Sequence, residues 1–77
     1  MHYGTSTRFP PEEVMNKAVV FFSALGLNVT KRSASTLTME GGRGKVSITL
    51  TPGEDTEVDI ISHELNAEVK AFLQRIG

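Results

Sequence analysis

Residues 45–51 read Lys-Val-Ser-Ile-Thr-Leu-Thr, and every second side chain in this stretch is apolar. Successive side chains of a β-strand point to opposite faces of the sheet, so the alternation predicts a strand with one buried and one solvated face. Three further segments alternate in the same way, at residues 27–32, 36–40 and 57–61. The sequence therefore predicts four strands that share one apolar face.

The connections between these segments are short, at Ser33-Ala34, 41–44 and 52–55. Loops of this length usually join neighbouring antiparallel strands. Pro52-Gly53 also suits the two central positions of a type II turn. We therefore expect a four-stranded antiparallel meander.

An amphipathic helix is predicted on each side of the strands. The first begins at Pro11, whose missing N–H suits the first helical position, and ends at Gly26, which suits a left-handed cap. The second follows Ser62 as its N-cap, with Glu64 in its first turn. Each helix has a buried stripe, formed by Val14, Ala18, Phe21, Phe22 and Leu25 in the first and by Leu65, Val69, Phe72, Leu73 and Ile76 in the second.

The fold class that follows is α+β, in the order α-β-β-β-β-α, with both helices packed on one face of the sheet. Residues 9–77 form a single domain, and residues 1–8 are expected to be a flexible tail, unless Thr5 to Phe9 adds an N-terminal edge strand. The other face of the sheet should be open to water. It would carry Thr30, Thr36, Thr38, Ser47, Thr49, Thr51, Glu57 and Asp59.

Composition excludes several functional classes. The 77 residues include no cysteine, which rules out disulfides, thiolate metal sites and thiol nucleophiles. The net charge of −1, spread along the chain, argues against nucleic acid as a partner. No apolar run is long enough for a membrane span, and the polar N-terminus does not resemble a signal peptide. We expect a cytoplasmic protein without a membrane partner.

No catalytic or metal-binding set is indicated. The Gly41-Gly42-Arg43-Gly44-Lys45 loop leads into a strand, whereas a P-loop lysine is followed by Ser or Thr at the start of a helix. His63, beside Glu64, has no recognisable triad partner or second metal ligand. The acidic cluster at 54–59 lacks the order of a calcium loop. We predict no enzymatic activity, no catalytic residues, no metal and no cofactor; an enzyme would have to use His63, Glu64 and Asp59.

A strand-like start that runs into Phe9-Pro10-Pro11-Glu12-Glu13-Val14, a helix, a meander and a closing helix is similar in order to small helix-grip proteins of the START and polyketide-cyclase type. That resemblance implies an apolar ligand held between helix and sheet, although this chain is shorter and lacks the strands that enclose a sizeable cavity. The alternative function is therefore binding of a small apolar ligand. Its candidate residues are Phe21, Phe22, Met39 and Phe72, with His63 or Arg43 near the mouth.

The leading prediction is a protein-interaction module that self-associates. A chain of this size buries only about 60 % of its unfolded surface, and a partner subunit is a common source of extra stability. Val20 and Ile61 point away from the predicted core and are the candidate interface residues. We expect a homo-oligomer or another protein partner, bound through the open sheet face or an edge strand.

Overall fold

A computed structural model describes all residues from Met1 to Gly77 and shows an α+β fold with one antiparallel sheet and two helices. The predicted class and layering are confirmed, with one additional strand. The sheet has five strands in the order β1-β5-β4-β3-β2. The elements are β1 His2–Thr7, α1 Pro11–Ser23, β2 Asn28–Arg32, β3 Thr36–Gly41, β4 Gly44–Thr51, β5 Thr56–His63 and α2 Asn66–Ile76.

The additional strand replaces most of the expected tail. β1 pairs antiparallel with β5, from His2 opposite Ile61 to Thr7 opposite Thr56. The prediction of a loose tail over residues 1–8 is therefore wrong for His2–Thr7. The alternative of an N-terminal edge strand is confirmed, although the strand spans His2–Thr7 and not Thr5 to Phe9. The strand is held at its end by Thr7, which is buried and whose hydroxyl donates a hydrogen bond to the Ile76 carbonyl at the end of α2.

The start of the second helix also differs from the prediction. Ser62 is not an N-cap: it is buried within β5, and it pairs with Val46 of β4. Because this ladder continues to His63, the chain leaves the sheet two residues later than expected, and Glu64 adopts a positive φ of 65°. α2 then begins at Asn66.

A third difference arises in β2. The β2–β3 register shifts between Val29 and Lys31, which marks a β-bulge. The shift places Lys31 opposite Thr38, whose side chain lies on the open face. Unbroken alternation with Leu27 and Val29 would place Lys31 on the helical face. Lys31 lies on the open face instead, because the extra residue of the bulge reverses the alternation of the strand.

One hydrophobic core lies between the helices and the sheet. It contains 16 buried apolar residues, drawn from both helices, from β3, β4 and β5, and from the segments that lead into β2 and α2. On the opposite face, the strands present the polar side chains that alternation predicts. The sheet is therefore covered by helices on one side only, as expected, and its two edge strands are β1 and β2.

Candidate functional site

The aromatic residues predicted to hold a ligand are packed against one another. Phe22, Met39 and Phe72 are at most 1 % exposed, and Phe21 is half-buried. The ring centroid of Phe21 lies 5.1 Å from that of Phe22 and 5.4 Å from that of Phe72. None of the four surface depressions is lined by Phe22 or Met39. These side chains thus fill the space between helix and sheet.

The two polar residues placed at the mouth of that site lie elsewhere. His63 is exposed at the end of β5, opposite Lys45 and on the open face of the sheet, whereas the aromatic cluster lies on the helical side. Arg43 lies in the β3–β4 turn, where its guanidinium is 2.8 Å from the carboxylate of Glu68 on α2. His63 therefore does not lie near the aromatic residues. Arg43 forms an ion pair with Glu68, which links the β3–β4 turn to α2.

A shallow groove between the two helices exposes more apolar surface than any of the other three depressions. It has a volume of about 350 Å³ and includes Val20, Phe21 and Phe72 in its lining. Val20 is 72 % exposed, and the guanidinium of Arg75 lies over the Phe21 ring at 5.2 Å from its centroid. The groove can therefore offer an apolar floor and a cationic rim to a small molecule or a side chain.

The two candidate interface residues lie on opposite sides of the molecule. Val20 lies on the outer surface of α1, in the helical layer. Ile61 lies on the open sheet face, 52 % exposed, between His2 of β1 and Ser47 of β4. Because the sheet and its helical layer separate them, one two-fold interface cannot bury both, and each marks a different surface.

The edge formed by β1 has unpaired backbone groups. Met1 and Ser62 exchange two backbone hydrogen bonds, each 2.8 Å long. Antiparallel residue pairs alternate between those that exchange such bonds and those that do not. By this alternation the odd-numbered residues of β1 bond to β5, and the N–H and C=O groups of His2, Gly4 and Ser6 point outward. All three residues are exposed.

No feature of β1 protects this edge against pairing. Natural edge strands are commonly blunted by lysine, proline, bulges or other charged side chains. β1 runs in continuous register over six residues, contains no Lys, Arg, Asp, Glu or Pro, and has no bulge. It is therefore a regular edge without acidic, lysine or arginine side chains.

The opposite edge, β2, is protected in two of those ways. Its pairing with β3 is interrupted by the bulge between Val29 and Lys31. It also ends in Lys31 and Arg32, and the Arg32 guanidinium donates to the side-chain oxygen of Asn16 on α1 at 3.3 Å. Both edges are exposed, but only β1 has the geometry of a template for another strand.

The structure also brings together one histidine–carboxylate pair that sequence spacing does not reveal. His2 Nε2 lies 3.2 Å from Asp59 Oδ1, across the β1–β5 ladder on the open face. Both side chains are at least half exposed, at 66 % and 50 %. No group of three or more His, Cys, Asp or Glu side chains is close enough to hold a metal ion. We assign no chemistry to the pair.

No family model matches the chain, and no curated protein is significantly similar to it in sequence. Neither of its helices, of 13 and 11 residues, has the length and apolar character needed to cross a bilayer. Function is therefore inferred from the geometry of the surfaces described above.

Proposed function

We propose that this chain is a small, non-enzymatic protein-interaction module that binds through the free edge of β1 and associates with itself. The observation that carries the proposal is the contrast between the two sheet edges. β1 is regular and has no acidic, lysine or arginine side chain, and three of its residues direct their backbone groups outward, whereas β2 has a bulge and two cationic residues. An exposed strand of the first kind can accept a strand from another chain through main-chain hydrogen bonds.

The residues on the helical side of β1 also support binding of another strand at this edge. Tyr3 and Leu73 are only partly buried where they pack against the core, and the Lys70 amine lies 5.9 Å from the centroid of the Tyr3 ring. A strand added beside β1 would extend the sheet beneath α2 and cover part of this apolar surface. The edge is short, so we expect a weak association with a dissociation constant in the micromolar range or above. The cytoplasmic location remains a prediction.

Sedimentation equilibrium of the Ser6→Pro variant tests the proposal. The Ser6 N–H points outward, so proline there removes a donor from the free edge without removing a bond to β5, and proline is tolerated at such edge positions. We expect the wild-type protein to dimerise with rising concentration and Ser6→Pro to remain monomeric, with an unchanged circular dichroism spectrum.

Two matched variants distinguish the edge from the other surfaces. Ile61→Ser removes the exposed apolar side chain on the open face, and Val20→Ser removes the exposed apolar side chain on the helical layer. Both should dimerise as the wild type does. If Ile61→Ser were monomeric while Ser6→Pro still dimerised, the open face would be the interface and the edge would not.

A second function, binding of a small apolar ligand, is favoured by the groove between the helices. Its floor includes the exposed Val20 and the half-buried Phe21. Lys17 and Arg75 outnumber the single carboxylate of the lining, Glu13, so the groove has a net positive charge. We therefore propose, as the alternative, an apolar molecule with a negatively charged end. Titration with the dye ANS tests it: Val20→Asp should weaken native-state dye binding severalfold, whereas Ile61→Asp should not. Equal dye binding by all three proteins would rule out the groove.

A further inference from the structure

The alternation along β1 between residues that bond to β5 and residues that direct their backbone groups outward points to a specific partner and register. We infer that β1 pairs with β1 of a second copy, antiparallel and with Gly4 opposite Gly4 of the partner, so that two five-stranded sheets become one continuous sheet. This inference rests on the proposed function. It adds the identity of the partner, the position of the two-fold axis and the residues that face each other.

The register follows from which residues have free backbone groups. In an antiparallel ladder, a hydrogen-bonded pair needs two residues that both direct their N–H and C=O groups toward the partner strand. In β1 these are His2, Gly4 and Ser6. When Gly4 lies opposite Gly4 of the partner, His2 lies opposite Ser6 of the partner and Ser6 lies opposite His2 of the partner. All three residues then form hydrogen-bonded pairs. Every other antiparallel register that pairs outward-facing residues with each other uses two or one of them, because it shifts at least one of them past the end of the strand.

The side chains suit this register on both faces. On the open face, the two-fold axis passes between two glycines, so no side chains collide where the copies meet. On the helical face, Tyr3 comes opposite Thr5 of the partner in a non-hydrogen-bonded pair, where side chains approach most closely and aromatic and β-branched residues pair favourably.

The side-chain charges of the two edge strands favour self-pairing of β1 over self-pairing of β2. Two-fold symmetry places each strand beside its own copy, so a charged strand brings its charges near the same charges of the partner strand. β1 has no Lys, Arg, Asp or Glu, whereas β2 would bring Lys31 and Arg32 close to the same two cations of the partner. Cationic side chains on an edge strand commonly prevent its pairing with another strand.

Single cysteines test the register, because the chain has none of its own. In the proposed dimer the two Gly4 Cα atoms lie about 5.5 Å apart, which is within the range of a disulfide. Each Ser6 Cα atom lies four residues along the strand from the other, at a distance of roughly 14 Å, which is too far for a disulfide. Gly4→Cys should therefore form a disulfide-linked dimer under mild oxidation and Ser6→Cys should not. A cysteine Cβ at Gly4 lies 3.3 Å from Asp59 Oδ1, a side-chain atom that can move aside.

Because pairing raises the effective concentration of the thiols, we expect Gly4→Cys to cross-link at least about tenfold faster than Ser6→Cys at equal protein concentration. A mixture of His2→Cys and Ser6→Cys should give mainly the mixed dimer, which tests the same register without altering Gly4. The reference rate is that of each variant unfolded in urea.

The outcomes separate the register from the proposed function. If wild-type protein sediments as a dimer but Ser6→Cys cross-links with itself as fast as Gly4→Cys, or the mixture shows no preference, the register is overturned and self-association stands. If wild-type protein remains monomeric at the highest concentration reached, both are overturned.

Discussion

Gly44 shows how a single residue fixes the geometry of this fold. It opens β4 with a φ of 151°, and a Cβ built on it would lie 2.2 Å from the His63 carbonyl oxygen. That oxygen belongs to the neighbouring strand, so it cannot move aside without disturbing the ladder. The absence of a side chain at this position allows β5 and β4 to remain paired up to the end of β5.

We predict that Gly44→Ala lowers the free energy of unfolding by about 1–3 kcal/mol, because the added methyl group collides with backbone and the backbone dihedral is unfavourable for alanine. Urea denaturation followed by circular dichroism measures the change. Gly42→Ala is the matched control: nothing lies within 4 Å of its Cβ position, so its stability should stay within about 0.5 kcal/mol of the wild type. Equal losses in both variants would contradict this role for Gly44.

At the scale of the elements, the strands with several alternating apolar residues could be predicted from the sequence, and the strand with few of them, β1, could be predicted only as an alternative. β3, β4 and β5 each alternate apolar and polar residues, and all were found where alternation indicates. Tyr3 is the only large side chain on the buried face of β1, and the other residues on that face are threonines. Threonine occurs on exposed and buried faces alike, and the burial of these threonines depends on α2, which packs on β1. Ser62 and Glu64 resemble a helix start locally, but pairing with β4 overrides that preference.

The contact between β1 and α2 yields a second stability prediction. The Thr7 hydroxyl donates to the Ile76 carbonyl and accepts from the Phe9 N–H at 3.3 Å. Thr7→Val keeps the shape but leaves these backbone groups unpaired, so we expect a loss of about 1–3 kcal/mol in the free energy of unfolding.

Thr5→Val is the control for that variant, because Thr5 lies on the same face of β1, and its hydroxyl makes no hydrogen bond. Thermal and urea unfolding should show it within about 0.5 kcal/mol of the wild type. If Thr7→Val were as stable as Thr5→Val, the anchoring of β1 by α2 would have to come from apolar packing alone.

At the scale of the whole molecule, the candidate site could not be predicted from the sequence in full. Sequence patterns identified Val20 and Ile61 as exposed apolar residues, and both are exposed. They gave no means of knowing that these residues lie on opposite sides of the molecule. The free edge of β1 depends on strand order and on the phase of its hydrogen bonds with β5, and both are properties of the assembled sheet.

The positions of the predicted ligand-site residues also depend on how the whole molecule is assembled. Phe21, Phe22, Met39 and Phe72 were correctly placed on the helical side of the sheet, but periodicity cannot tell a filled core from a lined cavity. His63 was assigned to a helix start, and the extension of β5 turns it to the opposite face. The groove beside Val20 arises from how α1 and α2 meet, which no local pattern encodes.

Amide hydrogen exchange, followed residue by residue by NMR at low and high protein concentration, tests the central claim most directly. At low concentration the Tyr3 and Thr5 amides, bonded to β5, should be protected, and the Gly4 and Ser6 amides should exchange rapidly. At high concentration the Gly4 and Ser6 amides should become protected, while amides at the β2 edge remain unchanged. Protection that appears at β2, or no concentration dependence at Gly4 and Ser6, would contradict pairing through β1.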